Sequence, residues 1–317
     1  MTTYFLLFTA LFGLIYFIFG RTNNSRLTII LAASLSFYFY FGGWLATTVI
    51  SVLGLFTYFV AFVIKKYSIY KKDSKLLLLL SLSPIILSLV YFKYLDFLQN
   101  TVISVLDILG LEKLEKLSAG IGSSYNLIAI LGISFFTFEF THYLVEIYRG
   151  ADVLKNPLHF FVFVFYFPRL ASGPIVRVNQ IVPQLQHLER PNSSDFAYGL
   201  IRVAIGFGKK FIIADQAALV ISSKFQTSNV LYGPDVIMLI ILLYVRIYFD
   251  FSAYTDMAIG VSRMFGIKLP ENFAWPFLAT SLIEFWKRWH ISLSTWIRDY
   301  IYIPLGGVSY FEEKKIL

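Results

Sequence analysis

The sequence predicts an all-α, polytopic membrane protein, and two observations carry that reading. Mean hydropathy is +0.69, with 57% hydrophobic and only 15% charged residues among 317; lipid is the solvent for most of such a chain. The apolar residues fall into runs of bilayer length separated by short basic loops. There is no cysteine, which excludes disulfides and thiol nucleophiles. The formal net charge of +8 reads as orientation signal and anionic-lipid contact, not as nucleic-acid binding. The expected organisation is one integral membrane domain over residues 1–317, with ordinary spans in 1–150 and a polar, interior-lining part in 156–307.

Residues 3–19 read as long enough to cross a bilayer core of about 30 Å at the helical rise. They lack a basic leader and a small-residue cleavage site, so they read as a first span. Two further apolar runs, 27–41 and 44–64, are separated by Gly42 and Gly43. Arg21 and Arg26 flank the first loop, and Lys65, Lys66, Lys71, Lys72 and Lys75 crowd the next. The positive-inside bias puts both loops in the cytoplasm and the N-terminus outside. Residues 76–98 return outward, with Pro84 as a kink. Residues 102–117 show amphipathic periodicity and read as a surface-lying segment. Residues 127–148 cross back, with Arg149 and Lys155 at the cytoplasmic end.

Simple span counting then fails. Residues 158–170 are apolar, but basic residues flank both ends and Pro168, Pro174 and Pro183 interrupt the region. That pattern predicts a re-entrant or half-buried element, tolerated at membrane depth where protein or a water-filled cavity covers it. Residues 196–220 carry Arg202, Lys209, Lys210 and Asp215 inside an apolar run. Residues 236–249 read as a cleaner span with Arg246, Asp250 and Asp256 at or beyond its end.

Ionisable groups in lipid are costly, so each is a functional candidate. Glu139, His142 and Glu146 share one helical face, as metal ligands or as an inward polar stripe. The stretch YFDFSAYTD offers Asp250, Ser252, Tyr254 and Asp256 at a helix end, for substrate positioning or for structural pairing with Arg263 or Lys268. Residues 281–307, SLIEFWKRWHISLSTWIRDYIYIPLGG, read as one helix opened by a Ser281–Glu284 capping box. One stripe is mostly aromatic: Phe285, Trp289, Ser292, Trp296 and Tyr300. The other is polar and basic: Lys287, His290, Ser294 and Arg298. Cationic neighbours would favour the neutral imidazole of His290; the alternative is an interface anchor beside Trp289. His159 and His187 read as solvated loop residues. There is no Walker motif, dinucleotide fingerprint, GxSxG elbow or metalloprotease helix.

Taken in order, FPRLASGPIVRVNQIVPQL (167–185), YFDFSAYTDMAIG (248–260), PENFAWPF (270–277) and EFWKRWHISLSTWIRDYIYIPLGG (284–307) closely resemble the membrane-bound O-acyltransferase (MBOAT) family. Within it they resemble the branch that O-acetylates alginate and related exopolysaccharides; LGISFFTFEF and YFKYLDF fit the same branch. The branch that D-alanylates teichoic acid is a weaker match. The resemblance implies a ring of transmembrane and re-entrant helices around a central tunnel. It implies no bound cofactor and no metal. The donor substrate is then acetyl-CoA or another cytoplasmic acyl thioester, and the acceptor an extracytoplasmic polysaccharide hydroxyl, reached with periplasmic partner proteins. His290 matches the first of two family histidines and is the candidate catalytic residue. Asp250, Tyr254, Asp256, Lys287, Ser294, Arg298 and Asp299 are the candidate tunnel-lining residues. The second family histidine, in a Trp-His-Gly motif usually taken as catalytic, lies beyond Leu317, so the chain reads as a truncated product or a fragment. His142 and Glu139 depart from the small polar residue and glutamine expected at their positions. A non-enzymatic export or channel component, or a remnant, is the competing expectation.

Overall fold

The computed structural model describes residues 2–69, 74–109, 130–170, 172–227 and 232–307. Among them every regular element is helical: α1 (Thr2–Phe19), α2 (Asn23–Ile69), α3 (Ser74–Leu89), α4 (Leu95–Ile108), α5 (Ile133–Tyr148), α6 (Pro157–Phe165), α7 (Val178–Gln186), α8 (Ser193–Gly208), α9 (Asp215–Thr227), α10 (Gly233–Met264), α11 (Leu282–Arg288) and α12 (Ile291–Ile297). Three helical stretches, Asn23–Tyr67, Lys75–Leu106 and Gly233–Met264, are long and apolar enough to cross a membrane. The described residues group into two compact units, one of Met1–Ser34 with Phe165–Leu317 and one of Leu35–Val164.

In the unit of residues 35–164, tyrosines tie helices to loops. Tyr38 donates to the Leu131 carbonyl at 2.6 Å, Tyr58 donates to that of Lys155 at 2.9 Å, and the Tyr143 hydroxyl accepts from the Leu154 N–H at 3.1 Å. Each satisfies a backbone group that has no helical partner. Phe160 fills the space between the Tyr58 and Tyr143 rings. Lys65, at the basic end of α2, donates to the carbonyls of Gly150 and Ala151 and pairs with Asp152 at 2.9 Å. The two basic ends that the charge pattern assigns to one side of the membrane therefore do meet.

In the other unit, Phe167 packs against Phe5, Phe8 and Phe12 of α1. Phe265 packs on Phe12 and Tyr16. The crossing of α8 and α10 positions the polar residues discussed below. A Cβ on Gly199 would lie 2.5 Å from the Gly260 carbonyl oxygen, and one on Gly206 would lie 2.6 Å from that of Ala253. Only glycine lets the two backbones approach so closely, as small residues do at membrane helix crossings.

Several boundaries differ from the sequence reading. The two runs around Gly42 and Gly43 form one helical stretch broken at Gly43, where φ is +78°. Helix α3 runs through Pro84, and a π-turn at Val90–Tyr94 joins it to α4. The amphipathic periodicity from residue 102 thus belongs to a helix that begins at Leu95; residues 110–117 lie outside the described residues, as do Lys71, Lys72, 127–129 and the tail. Residues 158–170 are a nine-residue helix and a short 3-10 turn, too short to span, with Arg169 fully buried. His159 lies on α6, half-buried, not in a loop. Asp250 and Asp256 lie within α10, which continues to Met264.

Candidate active site

The stretch around His290 is not one helix. Chain direction breaks between α11 and α12, and His290 sits at the break with φ +42° and ψ +53°. That left-handed conformation costs a residue with a Cβ about 1–3 kcal/mol, and its surroundings must hold it there. Asn272 supplies the clamp. Its backbone carbonyl accepts from the Ile291 N–H at 2.9 Å, and its Oδ1 accepts from the Ser292 hydroxyl at 2.6 Å and the Ser292 N–H at 3.3 Å. Ser292 Oγ in turn accepts from the Ile175 N–H at 3.0 Å. Asn272 is fully buried, so these bonds form away from competing water.

The imidazole stands edge-on to Phe251, with ring centroids 4.7 Å apart. It lines a cavity of about 510 Å³ with Trp286, Trp289, Leu293, Ser294 and Ile297. The wall is therefore mainly aromatic and aliphatic. Burial alone pushes the His290 pKa down, to about 4. The neutral form expected from the sequence stands, but the cause is desolvation and not cationic neighbours. The predicted capping at the start of α11 is partly realised: Ser281 Oγ accepts from the Glu284 N–H at 3.1 Å, while the Glu284 carboxylate accepts from Thr280 and pairs with Arg288 at 2.5 Å.

A second cavity of about 610 Å³ lies in the same unit. Its polar wall is built at the glycine-mediated crossing of α8 and α10. Asp256, almost fully buried, accepts from Arg202 Nε at 2.7 Å and Lys209 Nζ at 2.6 Å, and Arg202 Nη2 reaches Glu271 at 2.6 Å. The two cavities abut one aromatic cluster. Tyr248 and Phe273 line the polar cavity, and both pack on Trp289, which lines the His290 cavity.

Of the residues expected at the site, His290 and Ser294 line one cavity and Asp256 the other. The rest line neither of the two. Asp250 pairs with Lys210 at 2.7 Å, because six residues at about 100° each turn it far from the Asp256 face of the same helix. Tyr254 packs on Phe5. Lys287 is exposed, because the break at His290 ends the stripe that would have brought it inward. Arg298 and Asp299 pair with each other at 2.7 Å, and Asp299 also pairs with Arg177. Burial opposes ionisation of Asp299, but its hydrogen bonds from Arg298 and Arg177 outweigh that and hold its carboxyl below the ordinary value. Glu139 and His142 are buried on α5, Glu146 pairs with Arg149, and no metal-holding group occurs among the described residues. Sequence reading missed Asn272, Glu271 and Trp275, and it noted Arg202 and Lys209 only as oddly placed charges. Their seven-residue separation places them on one helical face, which was a usable signal.

Residues 30–317 match the membrane-bound O-acyltransferase family. The chain belongs to that family. It is 34% identical over 305 residues to a probable alginate O-acetylase of Pseudomonas putida, covering 95% of this chain and 60% of the relative. It is 34% identical over 311 residues to a peptidoglycan O-acetyltransferase of Helicobacter pylori, covering 89% and 56%. A teichoic acid D-alanyltransferase of Bacillus subtilis shares 38% identity over 184 residues, covering 56% and 46%. The chain thus spans 60% and 56% of the lengths of the first two relatives. MBOAT membership agrees with the all-helical membrane architecture and with apolar helices of spanning length.

Proposed function

We infer that this chain takes part in membrane O-acyl transfer, passing an acetyl group from a cytoplasmic thioester such as acetyl-CoA to hydroxyls of an extracytoplasmic polysaccharide. The observation that carries this reading is His290: a neutral imidazole held in a left-handed conformation on the wall of an apolar cavity, in a chain of an acyltransferase family. O-acetylating relatives match 95% and 89% of the chain and the D-alanylating one 56%, which favours acetyl over D-alanyl.

In this reading the acceptor oxygen bonds the acyl carbon as its proton passes to a ring nitrogen of His290. The C–S bond then breaks. The imidazolium, a strong acid in its desolvated setting, returns the proton to the departing thiolate. Asn272 acts on this step only by fixing the backbone at 290. At 47 residues α2 is about twice the length that one crossing needs, and it breaks at Gly43; its two basic ends then share one side, which favours a cytoplasmic-membrane protein with its N-terminus outside, and periplasmic partners would complete delivery to polymer.

The test is acetyl transfer in nanodiscs from acetyl-CoA to a polysaccharide acceptor, with wild type and His290→Ala compared at equal folded protein. Loss of transfer in the variant is the expected result. Unchanged transfer would remove His290 from the chemistry.

A further inference from the structure

The geometry points to the Asp256 cavity as a binding site for a neutral saccharide of a few rings. Four observations converge. First, its charges are already balanced: Arg202 and Lys209 are both bonded to Asp256, and Arg202 also to Glu271. Two cations facing two carboxylates leave no net attraction for a phosphate or carboxylate, but they present charged acceptors and donors to hydroxyls. Second, the rest of the wall is aromatic, with Tyr248, Phe273 and Trp275 among the lining residues. Trp275 is 74% exposed in a left-handed conformation ahead of Pro276, and a flat indole suits the C–H face of a pyranose ring.

Third, two lining residues carry orphan hydroxyls. Ser252 and Thr255 are each 2% exposed, and neither hydroxyl has a hydrogen-bond partner among the described residues. Helical Ser and Thr ordinarily bond back to the carbonyl four residues earlier. Ser262 does so on the same helix at 2.7 Å, and Thr295 on α12 at 2.8 Å. Both oxygens are enclosed in this structure, so a sugar hydroxyl reaches them only by displacing the wall around them. Fourth, the volume of about 610 Å³ lies within the range of about 300–1,000 Å³ usual for small-ligand sites and suits a few sugar units.

Because Tyr248 and Phe273 also pack on Trp289, a ring bound here would lie against the far side of the aromatic wall of the His290 cavity. Its binding does not rest on the acyl-transfer reading, in which the acceptor oxygen meets His290 in the other cavity.

The test uses the whole 317-residue chain in phospholipid nanodiscs, since alkyl maltosides carry the ligand class. Mannotetraose, a tetramer of mannuronate and coenzyme A are titrated by calorimetry. Mannotetraose is expected to bind saturably. Trp275→Ala, at an exposed position, should weaken it at least tenfold, and Ser252→Ala with Thr255→Val about tenfold while raising the ligand-free melting temperature. Absence of saturable mannotetraose binding, affinity unchanged in both variants, tighter binding of the uronate, or competition by coenzyme A would each overturn the assignment. Thioester turnover measured in parallel separates the two proposals. Sugar binding without turnover would leave this assignment standing, and turnover without sugar binding would sink it alone.

Discussion

The two cavities of this protein differ in how they treat polarity. Around Asp256, charge is abundant and mutually satisfied: two cations share one buried carboxylate, and the glycine crossing of α8 and α10 brings them together. Around His290 charge is nearly absent, and the ring stands among Trp286, Trp289, Leu293 and Ile297. The Asp256 cavity is organised by pairing and the His290 cavity by backbone strain and desolvation. One chain can thus keep a group reactive and a group fixed within the same unit by deciding which of them is given a counter-ion.

Removing the histidine should have the largest effect on activity. His290→Ala is expected to lower acyl transfer by about 10²–10⁴-fold with little change in thermal stability, checked by single-turnover kinetics beside a melting curve. Asp256→Ala should act first on stability. It leaves Arg202 and Lys209 without their shared carboxylate, and breaking a buried ion pair costs about 3–5 kcal/mol; chemical denaturation in mixed micelles would read it. A variant that melts like wild type would show that solvent already screens the pair.

Asn272→Ala tests the clamp. It deletes the acceptor for the Ser292 hydroxyl and N–H, so kcat should fall about tenfold while KM stays within about twofold, because a small misplacement of a reacting group is costly. Asn272→Asp keeps the acceptor oxygens and should recover most of the loss. Equal losses in both variants would mean that Asn272 serves folding alone. The smallest effect is expected at Lys287, exposed and away from both cavities: Lys287→Ala should change transfer by less than about twofold.

Much of this was legible in the sequence, and the failures have physical causes. Apolar run length identified the three helical stretches long enough to cross a membrane, while the runs 3–19 and 127–148 gave shorter helices among the described residues, since burial of the backbone in lipid sets the length required. Asp256 was legible as a costly intramembrane carboxylate. His290 was legible as an imidazole of interest, but its surroundings were not. A helical wheel drawn through 281–307 assumes continuous helix, and the left-handed residue at 290 ends that assumption. Lys287 and Arg298 then leave the histidine's face. Asn272 was invisible for a related reason: its bonds to residues 291 and 292 cross about twenty positions of loop and helix, and no local period encodes them. The Asp250 error came from ending a helix at the first acid, where α10 in fact continues because Asp250 finds Lys210.

The claim that desolvation keeps the His290 imidazole neutral is open to direct measurement in the pH dependence of single-turnover acyl transfer between about pH 3.5 and 8. Burial holds the imidazole pKa down to about 4, so the ring is neutral and able to accept a proton above that value and charged below it. The rate should stay level as pH falls from neutrality and decline only near pH 4. A decline centred near 6.5, the ordinary histidine value, would mean a hydrated imidazole and would contradict the account.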